Sequence, residues 1–359
     1  MSRLEGAGHR AGDGEVADGS VDARVRVPSG GTPDRLGSST ERLLSFVRQN
    51  RSQVIPYVLI GLLLVVAAVR TPSFVTPGSL RQQLVLASYL AIIAGGQTLV
   101  ILSGGIDLSV AWNLNFSAIL MTQTAAGSHE AGRVTWAVSL ALLAAAAVGF
   151  VNGLGVAYLR IPSLVMTLGM NAVLAGLTLV YTNGSPQGLA PPFAKSLAVG
   201  RLAGQVPYAL VFWLAFTVAL IFLLRRTVFG RRLYAVGNNP QAAYLSGVPV
   251  RRVLVAAYTL CGLCAGLAGI LLTGYSTQSY LGMGDRYVLQ AIAAVVIGGT
   301  SILGGSGGYG GTVAGAITVV LLDNVLQIIG IERAGQNILY GFIILVMLFV
   351  YGRSARVRE

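Results

Sequence analysis

Few side chains in this sequence can do chemistry, and where they stand limits what the chain can be. Of 13 Asp and Glu residues, seven lie within residues 1–50. Beyond that stretch, Asp107 and Asp323 are the carboxylates in or near long apolar runs. A carboxylate near mid-bilayer costs about 2.5–3.5 kcal/mol on insertion scales, so it must be shielded by protein or sit near an interface. Proton relays across membranes use chains of Asp, Glu or His, and this sequence has too few to build one. His9 and His129 each stand alone. Cys261 and Cys264 lie about one turn apart in an apolar run. A cysteine pair does not complete a structural zinc site, so both are expected to be small packing residues. No metal site is expected. No Ser–His–Asp or His–Glu pattern falls in the apolar runs, so no catalytic residue is assigned. The single lysine, Lys195, follows Ala194. A phosphate-binding loop needs Gly-Lys-Ser/Thr, so any ATP hydrolysis belongs to another chain.

The remaining polar features are patterns of backbone and amide groups. Residues 103–109 read Ser-Gly-Gly-Ile-Asp-Leu-Ser in an otherwise apolar stretch. Paired glycines break a helix, and Asp is a strong acceptor for restarting one. Asp107 is therefore either part of a transport path or gate, or a shielded cap at a helix break. Residues 296–305 have the same character around Gly298 and Gly299, and Gly307, Gly308, Gly310 and Gly311 follow. Non-helical backbone at membrane depth is tolerated only where protein or a water-filled cavity covers it. Two Gly-interrupted segments in the two halves fit an internal repeat with a site between them; tight helix packing explains them equally well. Gln97, Asn113, Asn115, Asn171, Gln290 and Asn324 also punctuate the apolar runs. Such amides either line a path or join helices, the latter worth about 0.6 kcal/mol apiece.

One polar stretch in the second half, residues 230–253, is too polar to span a bilayer and too patterned for a plain linker. Asn239 suits an N-cap and Pro240 the first helical position. Gly247 supplies a left-handed stop, and Pro249 prevents resumption. The spacing predicts a helix of about two turns over 240–246 in a basic loop. Arg225, Arg226, Arg231 and Arg232 precede it, and Arg251 and Arg252 follow. Arginine density of this kind beside membrane spans marks the cytoplasmic side.

The elements that must position these groups are membrane helices. Apolar residues form 54% of the chain and charged residues 11%, with mean hydropathy +0.71; a soluble domain carries about 25% charged residues. Ten segments approach the roughly 20 apolar residues a spanning helix needs. They are 54–69, 82–103, 106–125, 134–159, 162–181, 207–224, 252–273, 287–300, 312–329 and 337–351. The fold class expected is all-α: a polytopic membrane protein of about ten spans, some broken or re-entrant, with a short cytoplasmic coupling helix. Residues 1–50 lack apolar periodicity and are expected to be a disordered cytoplasmic tail. No apolar core follows the basic start, so no signal peptide is expected. Residues 51–353 form the membrane domain, with the coupling loop at 230–252, and 354–359 a cytoplasmic end. The net charge of +12 sits in short loops after residue 51. That is an orientation signal rather than a nucleic-acid surface, and it places both termini in the cytoplasm.

Gly104-Gly105-Ile106-Asp107-Leu108-Ser109, then Gly237-Asn238-Asn239 leading to Ala242-Ala243 and Gly247, then Ile297-Gly298-Gly299-Thr300-Ser301 with Gly304-Gly305, occur in this chain. Together they resemble the permease subunit of ribose-type carbohydrate ABC importers, over about residues 52–353. Ala111-Trp112-Asn113 departs from the small Gly-Ser-like pair usual in that family. The resemblance implies a plasma-membrane permease that binds no cofactor itself, with ATP and Mg on a partner ATPase. It also implies a second permease copy or paralogue and an extracytoplasmic sugar-binding protein. In that family the short helix docks on the ATPase, a role falling here on Asn238, Asn239, Pro240, Ala242, Ala243 and Gly247. A permease for another small solute such as a branched-chain amino acid, or an ion-coupled secondary transporter, are the alternatives.

Overall fold

The computed structural model describes residues 51–355. The tail expected over 1–50, and the terminal residues 356–359, lie outside the described residues. These form α1 (Arg51–Arg70), α2 (Pro77–Leu102), α3 (Val110–Ala125), α4 (Ala131–Ala157), α5 (Ser163–Thr182) and α6 (Pro192–Val199). Then come α7 (Tyr208–Arg226), α8 (Val228–Asn238), α9 (Pro240–Leu245), α10 (Val250–Ser276), α11 (Tyr287–Ile297), α12 (Tyr309–Ile328) and α13 (Arg333–Ala355). A two-residue hairpin pairs Arg201 with Pro207 and Leu202 with Val206, turning through Ala203 and Gly204 at positive φ. With an isolated antiparallel bridge between Leu189 and Gln278, it departs from an all-α class.

Each of the ten apolar segments falls on a helix. Among the described residues, six helices (α2, α4, α5, α7, α10 and α12) are long and apolar enough to cross a membrane. Two others are shorter than the sequence pattern suggests. α3 has 16 residues and α11 has 11, about 24 Å and 16 Å of helix, against a hydrocarbon core of about 30 Å. Each abuts a Gly-rich break: 103–109 for α3 and 298–308 for α11.

α2 is the axis of the bundle. Thr76 caps it by accepting from the Ser79 amide, Pro77 occupies its first turn, and from Tyr89 to Leu102 every residue is buried. α10 packs along it and along α4, while α11 and α12 close the other flank. Buried apolar residues from α2, α3, α10 and α11 merge into one core.

The two ends of the bundle differ. At one end the segment after α5 meets the C-terminus of α10: the Ala190 amide donates to Thr277 O at 2.9 Å. There the Thr122 and Ser279 hydroxyls also lie 2.7 Å apart. At the opposite end, the last turn of α2 meets α8 and the loop before α12. The segment around Gln187 and the α8–α9 arm thus occupy opposite ends of the bundle.

Candidate coupling junction and buried polar wall

The α8–α9 arm begins where α7 ends in Arg225 and Arg226. Thr227 caps α8, its hydroxyl accepting from the Gly230 amide at 3.2 Å. Leu233 and Val236 turn inward while Arg231 and Arg232 stay exposed. Residues 230–239, expected as loop, are helical instead and belong to α8. The signal was present in Phe229, Leu233 and Val236, spaced four and three apart, behind a Thr cap. The expected helix over 240–246 forms as α9. Asn239 Oδ1 accepts from the amides of Gln241 and Ala242 at 3.0 and 2.9 Å, Pro240 leads, and Gly247 has φ +80°.

Ala243 requires a correction. Its methyl is 5% exposed and packs with Leu102, Leu224, Leu233 and Val253 of the same chain. It seats α9 on its own bundle and offers no surface to a partner. The outward residues are Tyr244 and Leu245, 71% and 79% exposed, with Gln241 and Ala242 beside them.

The three motif segments converge at the end of α8. The Gly305 amide donates to Leu102 O, the last carbonyl of α2, at 3.0 Å. Asn238 Nδ2 donates to Tyr234 O at 3.0 Å and to Gly305 O at 3.3 Å. The Tyr234 hydroxyl donates to Gly307 O at 2.9 Å. Burial raises the Tyr234 pKa above its ordinary phenol value, so it remains a donor. Gly237 lies in the crevice between Leu102 and Gly305. A Cβ there would overlap the Leu102 carbonyl oxygen and come 2.6 Å from the Gly305 nitrogen. The arm carrying α9 is thus hydrogen-bonded through Tyr234 and Asn238 to the second Gly-rich break, and packs closely at Gly237 against the last carbonyl of α2. The close approach extends to α11 and α12, where a Cβ on Gly298 would lie 2.5 Å from the Gly311 carbonyl. Gly299 holds φ +83° and turns the chain out of α11.

Asp107 sits in a buried polar wall among α2, α3, α4 and α10. It is 1% exposed. Oδ1 accepts from the Ser109 amide at 2.9 Å and the Ser109 hydroxyl at 2.6 Å. Asn152 Nδ2 extends the chain by donating to the Ser109 hydroxyl at 2.8 Å. The Gln97 amide, with its oxygen toward the Asp107 N–H, pairs both backbone groups of Asp107 at 3.2 Å. Asp107 thus closes a short turn just before α3, whose N-cap position is Ser109 rather than Asp107, and Gln97 braces that turn. Among the described residues, the wall also holds buried polar atoms with no hydrogen-bond partner, including Asn113 Oδ1 and Asn152 Oδ1.

The other pathway candidates are mostly engaged between helices. Asn113 Nδ2 donates to Ala145 O at 3.1 Å. Asn115, suitably oriented, spans Tyr280 O and Gly282 N. Asn171 Oδ1 accepts from the Trp112 amide at 3.4 Å, and Gln290 donates to the Asp323 carboxylate, which Tyr340 also holds. Asn324 differs: it lines an open cavity of about 370 Å³ with Gln82 and Gln327. Cys261 and Cys264 are buried and unpaired, as packing residues should be. Among the described residues, no group of three or more His, Cys, Asp or Glu could hold a metal ion.

Residues 79–350 match the family described as "Branched-chain amino acid transport system / permease component". The chain belongs to this family of permeases. The match takes in the buried wall, the α8–α9 arm and both Gly-rich breaks. This permease is 39% identical to the ribose import permease protein RbsC of Escherichia coli K12, over 81% of the chain and 92% of that protein. It is 36% identical to the ribose import permease protein RbsC of Bacillus subtilis 168, over 82% and 91%. It is 31% identical to the L-arabinose ABC transporter permease protein AraH of Azospirillum brasilense, over 86% and 89%. No solved structure matches the permease. As a permease component it is a membrane subunit and not an enzyme.

Proposed function

We propose that this chain is the membrane-spanning subunit of an ATP-driven importer for a simple sugar of the ribose or arabinose class. The similar permeases carry those cargoes in their names. The observation that carries the ATP-driven reading is α9: a doubly capped, outward-facing helix carried by α8, which is hydrogen-bonded to the second Gly-rich break and packed on the end of α2. A secondary transporter has no use for such a handle. In this reading ten segments cross the membrane: α1, α13, and α3 and α11 each completed by its Gly-rich break join the six long apolar helices. Both termini and the α8–α9 arm are cytoplasmic, and 183–207 faces outward, where an extracytoplasmic sugar-binding protein delivers its cargo. Two permease copies or paralogues pair around the path, and two ATPase domains hold ATP and Mg. Closure of the ATPases moves α9, and the junction passes that motion to α2, α11 and α12.

Reconstitution in liposomes with an ATPase subunit and a sugar-binding protein tests the reading. Ribose uptake should require ATP and all three components. Uptake driven by an ion gradient, with no ATPase present, would show the reading to be wrong. Orientation is tested on whole cells with an impermeant thiol reagent. Gln187→Cys should label from outside and Arg232→Cys should not; the reverse pattern would invert the topology.

A further inference from the structure

We propose that a groove formed by α4, α9 and α10 binds an anionic phospholipid, its phosphate held by arginines and one acyl chain lying along α4 and α10. Two adjoining cavities make the groove. The first, about 860 Å³, is lined by Arg160, Arg251 and Arg252, with Tyr158 and Tyr244. The second, about 500 Å³, is lined by Phe150, Leu154, Val255, Ala256 and Leu260. Tyr158 and Arg252 belong to both, so a basic head runs directly into an apolar slot.

The slot follows from helix spacing. Residues 150, 154 and 158 form one stripe on α4, and 252, 256 and 260 face it from α10. Eight residues of α4 give a slot about 12 Å long at ~1.5 Å per residue, the reach of a good part of an acyl chain. Both helices qualify as membrane spans, so the slot runs along the direction in which lipid chains lie. The head is charged and unneutralised: among the described residues no carboxylate pairs with the three arginines. Arg251 lies over the Tyr158 ring at 5.3 Å, which orients its guanidinium without using its N–H donors. Guanidinium groups match phosphate oxygens two at a time. A free phosphate would leave the slot empty, and an acidic peptide would not fill it. An anionic phospholipid satisfies both parts.

Gln241 and Tyr244 of α9 complete the groove wall. The lipid therefore touches the helix proposed above as the handle, and the site does not depend on that proposal. Only the leaflet does: with α9 cytoplasmic, the lipid belongs to the inner leaflet.

Purified full-length protein is labelled with photoactivatable phosphatidylglycerol or phosphatidylcholine of identical chains. Phosphatidylglycerol should crosslink within 150–160 and 251–260, and unlabelled phosphatidylglycerol should compete while inorganic phosphate does not. Arg251→Gln with Arg252→Gln should abolish the preference for the anionic lipid. Ala256→Trp, filling the slot, should reduce labelling by both lipids. Equal labelling by the two lipids, competition by phosphate, or wild-type preference in the arginine double variant would each overturn the proposal. So would efficient disulfide crosslinking of Leu154→Cys between two copies in the membrane, which would show the groove covered by protein. None of these readouts involves transport or an ATPase, so this proposal and the transport reading fail separately.

Discussion

Replacing Gly237 by alanine should abolish uptake while leaving the protein in the membrane. The added methyl would be pressed between the Leu102 carbonyl oxygen and the Gly305 amide nitrogen. Neither is a flexible side chain that can step aside; one ends α2 and the other lies in the Gly-rich loop before α12. Overpacking of this kind costs about 1–3 kcal/mol, and more where backbone must move. The strain is relieved by moving α8 off the junction, which parts Asn238 from Gly305 and Tyr234 from Gly307. None of the long apolar helices contains residue 237, so insertion should be normal. Sugar-stimulated ATP hydrolysis should fall with uptake, and ATPase co-purification should persist because α9 keeps its caps. Asn238→Ala should have a milder effect, since it removes two hydrogen bonds worth about 0.5–1.5 kcal/mol each without adding bulk. Wild-type uptake by Gly237→Ala would sink the view that this junction carries the motion.

How much of this was legible in the sequence depends on how local each feature is. α9 was readable to within a residue, because Asn239, Pro240 and Gly247 act on their immediate neighbours. The break at Gly104 was readable for the same reason, and its φ of +87° is one that glycine adopts freely. The short α3 and α11 were readable only as apolar segments; their true lengths depend on where the loops 103–109 and 298–308 are pinned by distant backbone. The polar candidates illustrate the limit. Gln97, Asn113, Asn115 and Gln290 look alike in sequence, each an amide in an apolar run. Their roles separate only when tertiary structure brings Asn115 to Tyr280, Asn113 to Ala145 and Gln290 to Asp323. The direction of Ala243 was hidden likewise. A six-residue helix has too few turns to show which face is apolar, and α8, which decides it, lies in a stretch whose arginines and glycines read as loop.

That direction sets the test for the handle. Leu245→Glu should stop the ATPase from co-purifying and reduce uptake to background, with the permease itself unchanged. Tyr244 and Leu245 project from α9 largely exposed, and burying an apolar side chain of this size on docking contributes about 1.5–3 kcal/mol. A glutamate at 245 removes that contribution and places an unpaired charge in the contact, a further cost unless it finds a partner. The helix should survive, because Asn239 still caps it and Gly247 still ends it. Ala243→Glu should give a different signature. That side chain would enter the cluster of Leu102, Leu224, Leu233 and Val253, so the permease alone should melt earlier in detergent, whether or not an ATPase is present. The pair of variants therefore separates a contact residue from a seating residue. If Leu245→Glu binds the ATPase as wild type does while Ala243→Glu keeps its melting temperature, α9 is neither seated nor docked as its exposure implies, and the ATPase must grip the permease elsewhere.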